Sequence, residues 1–199
     1  MTKGRLEAFS DGVIAIIITI TILLIDVPDG NDWAALRDKL PLILVYTVSF
    51  VMIGTNWANH HHLLQVTQTV DGKIIWANLF YLFTLSFYPV ATGWVGKSNF
   101  AAIPTTVYVG INLIESAAYI LLQHVIMVSQ DCEQLQNTIR GSHKEQFTIL
   151  LEVAALVCSF ITPIRFMAYV LLVAMTLLWI VPDIRLRRIY MESNREEEM

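Results

Sequence analysis

Residues 12–25 form an uninterrupted apolar stretch that begins directly after a cluster of charged side chains. The stretch contains no charged residue, whereas Arg5, Glu7 and Asp11 lie just before it. Burying ionisable groups beside an apolar segment is costly unless partners satisfy them. The stretch is typical of a membrane-spanning helix, and the charged cluster indicates that this helix does more than anchor the chain.

The composition is also that of a membrane protein. Of 199 residues, 55% are apolar and 15% are charged, with a mean hydropathy of +0.57, whereas soluble domains carry about 25% charged residues. The apolar runs lack the alternation of barrel strands, so they predict helices. We expect one all-α, polytopic membrane domain over 1–199, with six transmembrane helices of roughly 20 residues each, near 9–25, 41–59, 73–95, 101–128, 147–161 and 166–181.

Prolines and polar stretches predict where these helices begin and bend. Pro41 is expected in the first turn of the second helix, after a separate amphipathic piece at 33–39, because proline suits that position. Pro89 predicts a kink near the end of the third helix. A polar linker at 129–146 separates the fourth helix from the fifth.

The placement of lysine and arginine predicts the orientation. With the amino terminus inside, nine of the thirteen basic residues lie on the cytoplasmic side. The positive-inside rule therefore predicts a cell-membrane protein with both termini, the linker 129–146 and the tail 185–199 in the cytoplasm. No basic patch indicates nucleic acid. Cys132 lies in the linker and Cys158 in an apolar segment, so a disulfide is not expected.

Three sequence patterns point to a known family. The first helix opens with Arg5-x-x-x-Phe9-Ser10-Asp11. The second and third helices carry the patterns Gly54-x-x-Trp57-x-x-His60-His61 and Trp76-x-Asn78-Leu79-Phe80-x-Leu82-Phe83-x-Leu85-Ser86. Together these patterns resemble the signature of the lysosomal potassium channel family, over about the first half of the chain.

The resemblance implies a potassium-permeable cation channel that conducts passively. In the family, the first helices of the subunits line a central pore, so one six-helix chain is expected to form a homotetramer in the lipid bilayer. Potassium and other monovalent cations are the permeant species, and no cofactor is implied. The family lacks a carbonyl-lined filter, and this chain contains no Thr-Val-Gly-Tyr-Gly stretch. The family's pore positions correspond to Ile16, Thr19 and Leu23.

The helical period selects the same side of the first helix. At about 100° per residue, Ile16, Ile20 and Leu23 fall within about 60° of one another, with Thr19 on the flank. Rings of branched side chains around an axis can gate by dewetting, and the Thr19 hydroxyl is expected to contact ions. By itself such a stripe is more often ordinary helix packing, whereas the signature favours a pore lining.

Ser10 and Asp11 point away from this stripe, by about 120° and 140° in opposite directions. They are therefore expected to contact neighbouring helices, and the family patterns supply the candidate partners Trp57, His60 or His61, and Asn78. We interpret the signature, Arg5, Phe9, Ser10 and Asp11, as a structural network that holds the first helix against the second and third. Direct ion binding by Asp11 is the less favoured interpretation.

Other polar residues leave alternatives open. The three consecutive histidines at 60–62 suggest a zinc site. Consecutive side chains on a helix diverge by about 100°, so the three do not share one face, which favours hydrogen bonding or an exposed helix end. Glu115 and Glu152 lie in apolar segments, and three roles are open for them. They are expected to hydrogen-bond across helices or to line a wet crevice; the alternative is that they serve with Asp11 in a proton- or ion-coupled secondary transporter. The chain has no clear internal repeat, which favours a channel. It has no Ser-His or paired-Asp arrangement at helical spacing and no Gly-rich phosphate loop, so an enzyme is disfavoured.

Overall fold

The computed structural model describes residues 2–129, 144–161 and 165–180. Within these ranges the regular secondary structure is helical, which confirms the all-α prediction. The helices are α1 (Lys3–Ile22), α2 (Trp33–Gln65), α3 (Gly72–Leu85), α4 (Tyr88–Lys97), α5 (Ala102–Ser129), α6 (Lys144–Phe160) and α7 (Phe166–Ile180). Most of the predicted linker and all of the predicted tail lie outside the described residues.

Helix α2 begins earlier than the sequence predicts. Asp32 caps it, because its carboxylate accepts a hydrogen bond from the backbone N–H of Ala35 at 2.9 Å. The amphipathic piece and the second apolar segment are therefore one helix of 33 residues. The prediction that Pro41 starts a helix is wrong, since Pro41 lies inside α2. The aspartate cap before it and the buried side chain of Leu42 after it offset the backbone hydrogen bond that proline removes.

The third predicted segment is interrupted, as Pro89 indicates. Helix α3 ends at Leu85 and α4 starts at Tyr88, with Ser86 and Phe87 between them. Pro89 lies in the first turn of α4, where its missing N–H costs no intrahelical bond. The predicted kink is confirmed, and the helix breaks just before the proline.

With α3 and α4 counted as one interrupted span, the described residues form six helical segments, as the sequence predicts. Three of them are long and apolar enough to cross a membrane, namely Trp33–Gln65, Gly72–Lys97 and Ala102–Ser129. Helix α7 is a shorter apolar helix. The 20 residues of α1 include the charged cluster that precedes its apolar stretch.

The helices pack as one bundle joined by buried polar contacts. Helix α1 packs against α2, α3 and α4, and the bundle continues from α3 to α5, α6 and α7. The Ser49 Oγ lies 2.7 Å from the Thr92 Oγ1 and 2.8 Å from the Tyr108 hydroxyl, which joins α2, α4 and α5. In lipid, interhelical hydrogen bonds and close packing hold helices together without a hydrophobic driving force between them.

Candidate functional site on the first helix

Helix α1 has two distinct faces. Its buried side chains recur every three or four residues, which places them on one side of the helix: Leu6, Ser10, Ile14, Ile17 and Thr21. This side contacts α2, α3 and α4. The opposite side faces out of the bundle.

The stripe identified from the helical period lies on the outward side. Ile16 is 59% exposed, Ile20 46% and Leu23 73%. Leu23 is the residue that caps the carboxyl end of α1. Thr19 is also exposed, and its hydroxyl donates to the Ala15 carbonyl at 2.8 Å. Because its proton is used within the helix, the Thr19 oxygen presents lone pairs that can accept a cation.

Three buried side chains form a directed series of hydrogen bonds from α2 through α3 to α1. The His60 Nε2 donates to the Asn78 Oδ1 at 2.6 Å, and the Asn78 Nδ2 donates to the Ser10 Oγ at 2.9 Å. The Ser10 hydroxyl in turn donates to the Leu6 carbonyl at 2.9 Å. All three side chains are fully buried. Because both ends of the Asn78 amide are used, the His60 ring proton lies on Nε2.

Asp11 forms a second contact between α1 and α2. The Trp57 Nε1 donates to the Asp11 Oδ1 at 2.8 Å. The His61 ring stacks on Trp57, with centroids 5.8 Å apart and an interplanar angle of 23°. The Gln65 side-chain amide donates to the His61 Nε2 at 3.0 Å. The carboxylate is thus held by α2.

We call this group of six side chains the clasp: Ser10, Asp11, Trp57, His60, His61 and Asn78. Ser10 and Asp11 are consecutive, so their side chains leave α1 about 100° apart. One contacts α3 and the other contacts α2. Holding a helix from two directions at one turn opposes its rotation about its axis. The two contacts hold α1 with Ser10 and Asp11 toward the bundle.

Arg5 and Phe9 lie elsewhere, although they belong to the same pattern. Both are exposed. At about 100° per residue, each falls within about 20° of the direction of Ile16. The pattern thus divides between the two faces of α1, with Ser10 and Asp11 toward the bundle and Arg5 and Phe9 on the outward stripe.

Sequence reasoning missed three residues that support the clasp. The Tyr81 ring stacks on His60, with centroids 5.3 Å apart and an angle of 10°. The Lys3 ammonium donates to the backbone carbonyl of Gln65. The available signal was helical spacing, because Gln65 follows His61 by four residues and Tyr81 follows Asn78 by three.

Two buried carboxylates lie on other helices. Glu115 is on α5 and Glu152 is on α6, and both are buried. The Ser116 hydroxyl donates to the Glu152 Oε1 at 2.6 Å, which is a hydrogen bond between α5 and α6. Glu115 lines a cleft between helices. Across the ranges that the structure describes, no group of three or more His, Cys, Asp or Glu residues is placed to hold a metal ion.

The fold and the site define a class: a polytopic helical membrane protein whose first helix is fixed by a clasp and presents an apolar stripe outward. Residues 5–89 match the family described as the endosomal/lysosomal potassium channel TMEM175. A potassium channel of Chryseobacterium sp. (strain P1-3) is 46% identical over 195 residues, covering 97% of this chain and 100% of the relative. The chain belongs to the TMEM175 family.

A solved structure and an animal relative agree with this membership. The crystal structure of a lysosomal potassium-selective channel TMEM175 homolog from Chamaesiphon minutus matches with a TM-score of 0.75 and 26% identity, over 89% of this chain and 95% of that one. The bovine relative, named an endosomal/lysosomal proton channel TMEM175, is 40% identical over 84 residues, which are 34% of this chain and 18% of the relative.

Proposed function

We propose that this protein is a potassium-permeable cation channel that conducts passively through a pore lined by the outward stripe of α1. The observation that carries the proposal is the position of this stripe: it is apolar, lies on the side of α1 away from the clasp, and its large side chains are exposed in the single chain. Relatives named as potassium channels, over the full length in the Chryseobacterium protein, support the ion.

Four copies around one axis complete the pore in this proposal. The Ile16, Ile20 and Leu23 side chains of each copy then form stacked rings. A ring of branched aliphatic side chains cannot replace the hydration shell of potassium, so it acts as a constriction that closes by dewetting. The Thr19 hydroxyl oxygens add a polar ring between them. Outward surfaces of the bundle away from α1 face lipid.

We also propose that the protein lies in the cell membrane with both termini in the cytoplasm. This orientation follows the excess of basic residues on one side of the helices. The clasp then lies near the cytoplasmic end of α1, and the constriction lies deeper in the membrane. None of the helices in residues 2–129, 144–161 and 165–180 carries an arginine ladder, so voltage is not the proposed stimulus.

Recording from the purified protein in a planar bilayer tests the function. With potassium on one side and sodium on the other, we expect single-channel currents. Their reversal potential should have the sign that a potassium-selective conductance gives. Currents that follow the gradient and do not saturate at millimolar concentrations distinguish a channel from the coupled transporter. Purified protein that gives no current in either direction would contradict the proposal.

A pH gradient in the same bilayer tests a second permeant ion. The bovine relative is named a proton channel. Proton conduction is therefore the specific alternative to potassium conduction. We expect the reversal potential to follow potassium when potassium and pH gradients are opposed. A reversal potential that follows the pH gradient would assign protons as the main permeant ion.

A further inference from the structure

The outward side of α1 carries small residues beside its apolar stripe. Four exposed residues make up this surface, which we call the small flank: Gly4, Ala8, Gly12 and Ala15. At about 100° per residue their directions lie within about 80° of one another, and their centre lies about 90° from the direction of Ile16. The small flank is therefore a second outward surface, next to the proposed pore lining.

The glycines of the small flank are not required by their own chain. A Cβ atom at Gly4 or Gly12 would meet no heavy atom within 4 Å beyond the adjoining backbone of the helix, whereas one at Gly96 would collide with Leu42. Glycine in the middle of a helix is less favourable than alanine, because it loses more backbone freedom on folding. Gly12 therefore weakens α1 without improving the packing of the described residues of its own chain.

Helix α2 continues this surface across its contact with α1. The hydrogen bond from Trp57 to Asp11 places the two helices side by side at this level. Gly54 and Ala58 lie about 60° and 100° further round α2 from Trp57, away from its buried side, and both are half-buried. A Cβ atom at Gly54 also meets nothing within 4 Å. Small residues thus line both edges of a shallow groove between α1 and α2, which opens outward.

The outward side of α7 has a different composition. Its exposed side chains are large, with the exception of Ala174. Lipid tails pack against large apolar side chains, so contact with lipid gives no reason to replace them with glycine. In membranes, small residues are instead enriched where two helices approach closely. The composition of the groove is therefore that of a contact between helices.

The other edge of the outward side of α1 provides a matching ridge. Phe9 and Ile20 are 50% and 46% exposed, and their directions lie about 100–125° from the centre of the small flank. A chain with a groove on one edge and a ridge on the other pairs head-to-tail, and head-to-tail contacts close into rings when the rotation allows it. The two surfaces therefore suit copies arranged around one axis.

We propose that this groove is the surface on which α1 of the next copy packs. The inference rests on the proposed four-copy pore and names the contact that closes it. Each copy contributes its groove to one neighbour and its ridge to the other. Because the groove has no large side chains, the axes of neighbouring α1 helices approach closely, and this short separation keeps the proposed constriction narrow.

Cyclic symmetry determines which residues meet in this arrangement. Equivalent residues of copies related by one rotation axis lie at the same height along that axis. Phe9 of one copy therefore lies beside Ala8 and Gly12 of the next copy. Two turns further along α1, Ile16 lies beside Ala15 of the next copy.

Disulfide trapping between two different chains tests this pairing in the full-length protein. One chain carries Ala15→Cys and the other, with a different affinity tag, carries Ile16→Cys, both in a background of Cys132→Ser and Cys158→Ser. A disulfide forms only where two Cα atoms lie within about 7 Å. After co-expression and mild oxidation, we expect disulfides between the two kinds of chain. Ala15→Cys alone is the matched control and should give few dimers, because its equivalent positions lie in separate grooves.

Two results of this trapping would overturn the proposal. Dimers of Ala15→Cys alone, with none between the two kinds of chain, would show that small flanks pair with each other. No disulfide in either sample would leave the small flank against lipid.

A large side chain in the groove tests its role in assembly. Gly12→Leu adds bulk at a position that is open in the single chain, so we expect the four-copy fraction in native mass spectrometry to fall by about tenfold or more. Gly110→Leu is the matched control, because Gly110 is a glycine of α5 that is also open, and it should assemble as the native protein does.

The native protein, measured alongside, separates this contact from the proposed pore. A native protein without a four-copy species would contradict the pore itself. A native tetramer with an equal four-copy fraction in Gly12→Leu and Gly110→Leu would contradict the groove contact alone.

Discussion

Ile16 and Ile17 are chemically identical neighbours, yet they have different environments. Ile17 is 5% exposed and packs in the bundle, whereas Ile16 is 59% exposed on the outward side of α1. One residue along a helix turns the side chain by about 100°, and with Ser10 and Asp11 bonded to the bundle, Ile16 is the one that turns outward. The role of each isoleucine in α1 therefore depends on the side of the helix on which it lies.

Replacing Ile16 with asparagine tests the constriction. A polar side chain in a narrow apolar ring lets water remain in it, so we expect Ile16→Asn to raise single-channel conductance or to weaken the preference for potassium over sodium. Bilayer recording measures both. Val170→Asn is the control, because Val170 is 58% exposed on α7, outside the proposed pore. Unchanged currents in Ile16→Asn would show that Ile16 does not line the constriction.

Thr19 is expected to affect selectivity more than conductance. Its oxygen faces outward while its proton is donated to Ala15, so Thr19→Val removes a cation-accepting oxygen with little change in shape. We expect the reversal potential under potassium and sodium gradients to move toward zero. Thr21→Val is the matched control, because Thr21 makes the same type of bond to Ile17 but is buried on the other face. A larger shift in Thr21→Val than in Thr19→Val would refute the assignment.

Much of the arrangement at this scale follows from the sequence, because a helix has a fixed period. The period places Ser10 and Ile16 on different sides, and in the structure Ser10 is buried and Ile16 is exposed. The partner of each polar group was less predictable. Trp57, His60 and His61 lie within about one turn of α2, so spacing alone could not assign Trp57 to Asp11 and His60 to Asn78.

Asn78 lies on α3 and bonds to side chains of α1 and α2. Among the clasp residues it is therefore the one whose substitution we expect to affect helix packing most. Asn78→Ala leaves the His60 Nε2 and the Ser10 hydroxyl oxygen without their partners in a buried site. Each unsatisfied buried group costs about 1–3 kcal/mol, so we expect a clear loss of thermal stability of the purified protein. Asn31→Ala, in the exposed loop before α2, is the control. A melting temperature equal to that of the control would mean that these bonds contribute little.

Helices α2 and α4 approach so closely at Gly96 that a side chain does not fit. A methyl group there would lie 2.6 Å from the Cα and 2.8 Å from the Cβ of Leu42. The Leu42 backbone cannot move away without shifting α2, so we expect Gly96→Ala to destabilise the fold by about 1–3 kcal/mol. Thermal unfolding followed by circular dichroism measures the effect. Gly110→Ala, on α5 in open space, should instead be neutral or slightly stabilising.

Element boundaries were predicted less well than element types. The break near Pro89 follows from its proline, but Pro41 misled the prediction because the Asp32 cap starts α2 earlier. Sequence periodicity describes one helix at a time. A carboxylate in an apolar segment predicted a crevice or an interhelical bond near Glu115, but not that α2, α5, α6 and α7 are the helices that meet there.

At the scale of the whole molecule, the stripe on α1 has two physical explanations. Outward apolar surface in a membrane protein contacts either lipid or another subunit, and exposure of Ile16 and Leu23 in one chain is compatible with both. The two arrangements differ in the distance between equivalent residues of different copies. Around a central axis the four Leu23 side chains are neighbours, whereas at the lipid periphery they are far apart.

Cross-linking between copies separates these arrangements. In a background that carries Cys132→Ser and Cys158→Ser, we expect Leu23→Cys to give covalent dimers and higher species with a short bifunctional thiol reagent. Native mass spectrometry of the untreated protein should give four times the 22.6 kDa chain mass. Val170→Cys is the matched control on the outward face of α7, and it should remain uncross-linked. Cross-links at position 170 but not at position 23 would place α1 at the periphery, and the pore would then have to be formed by other helices.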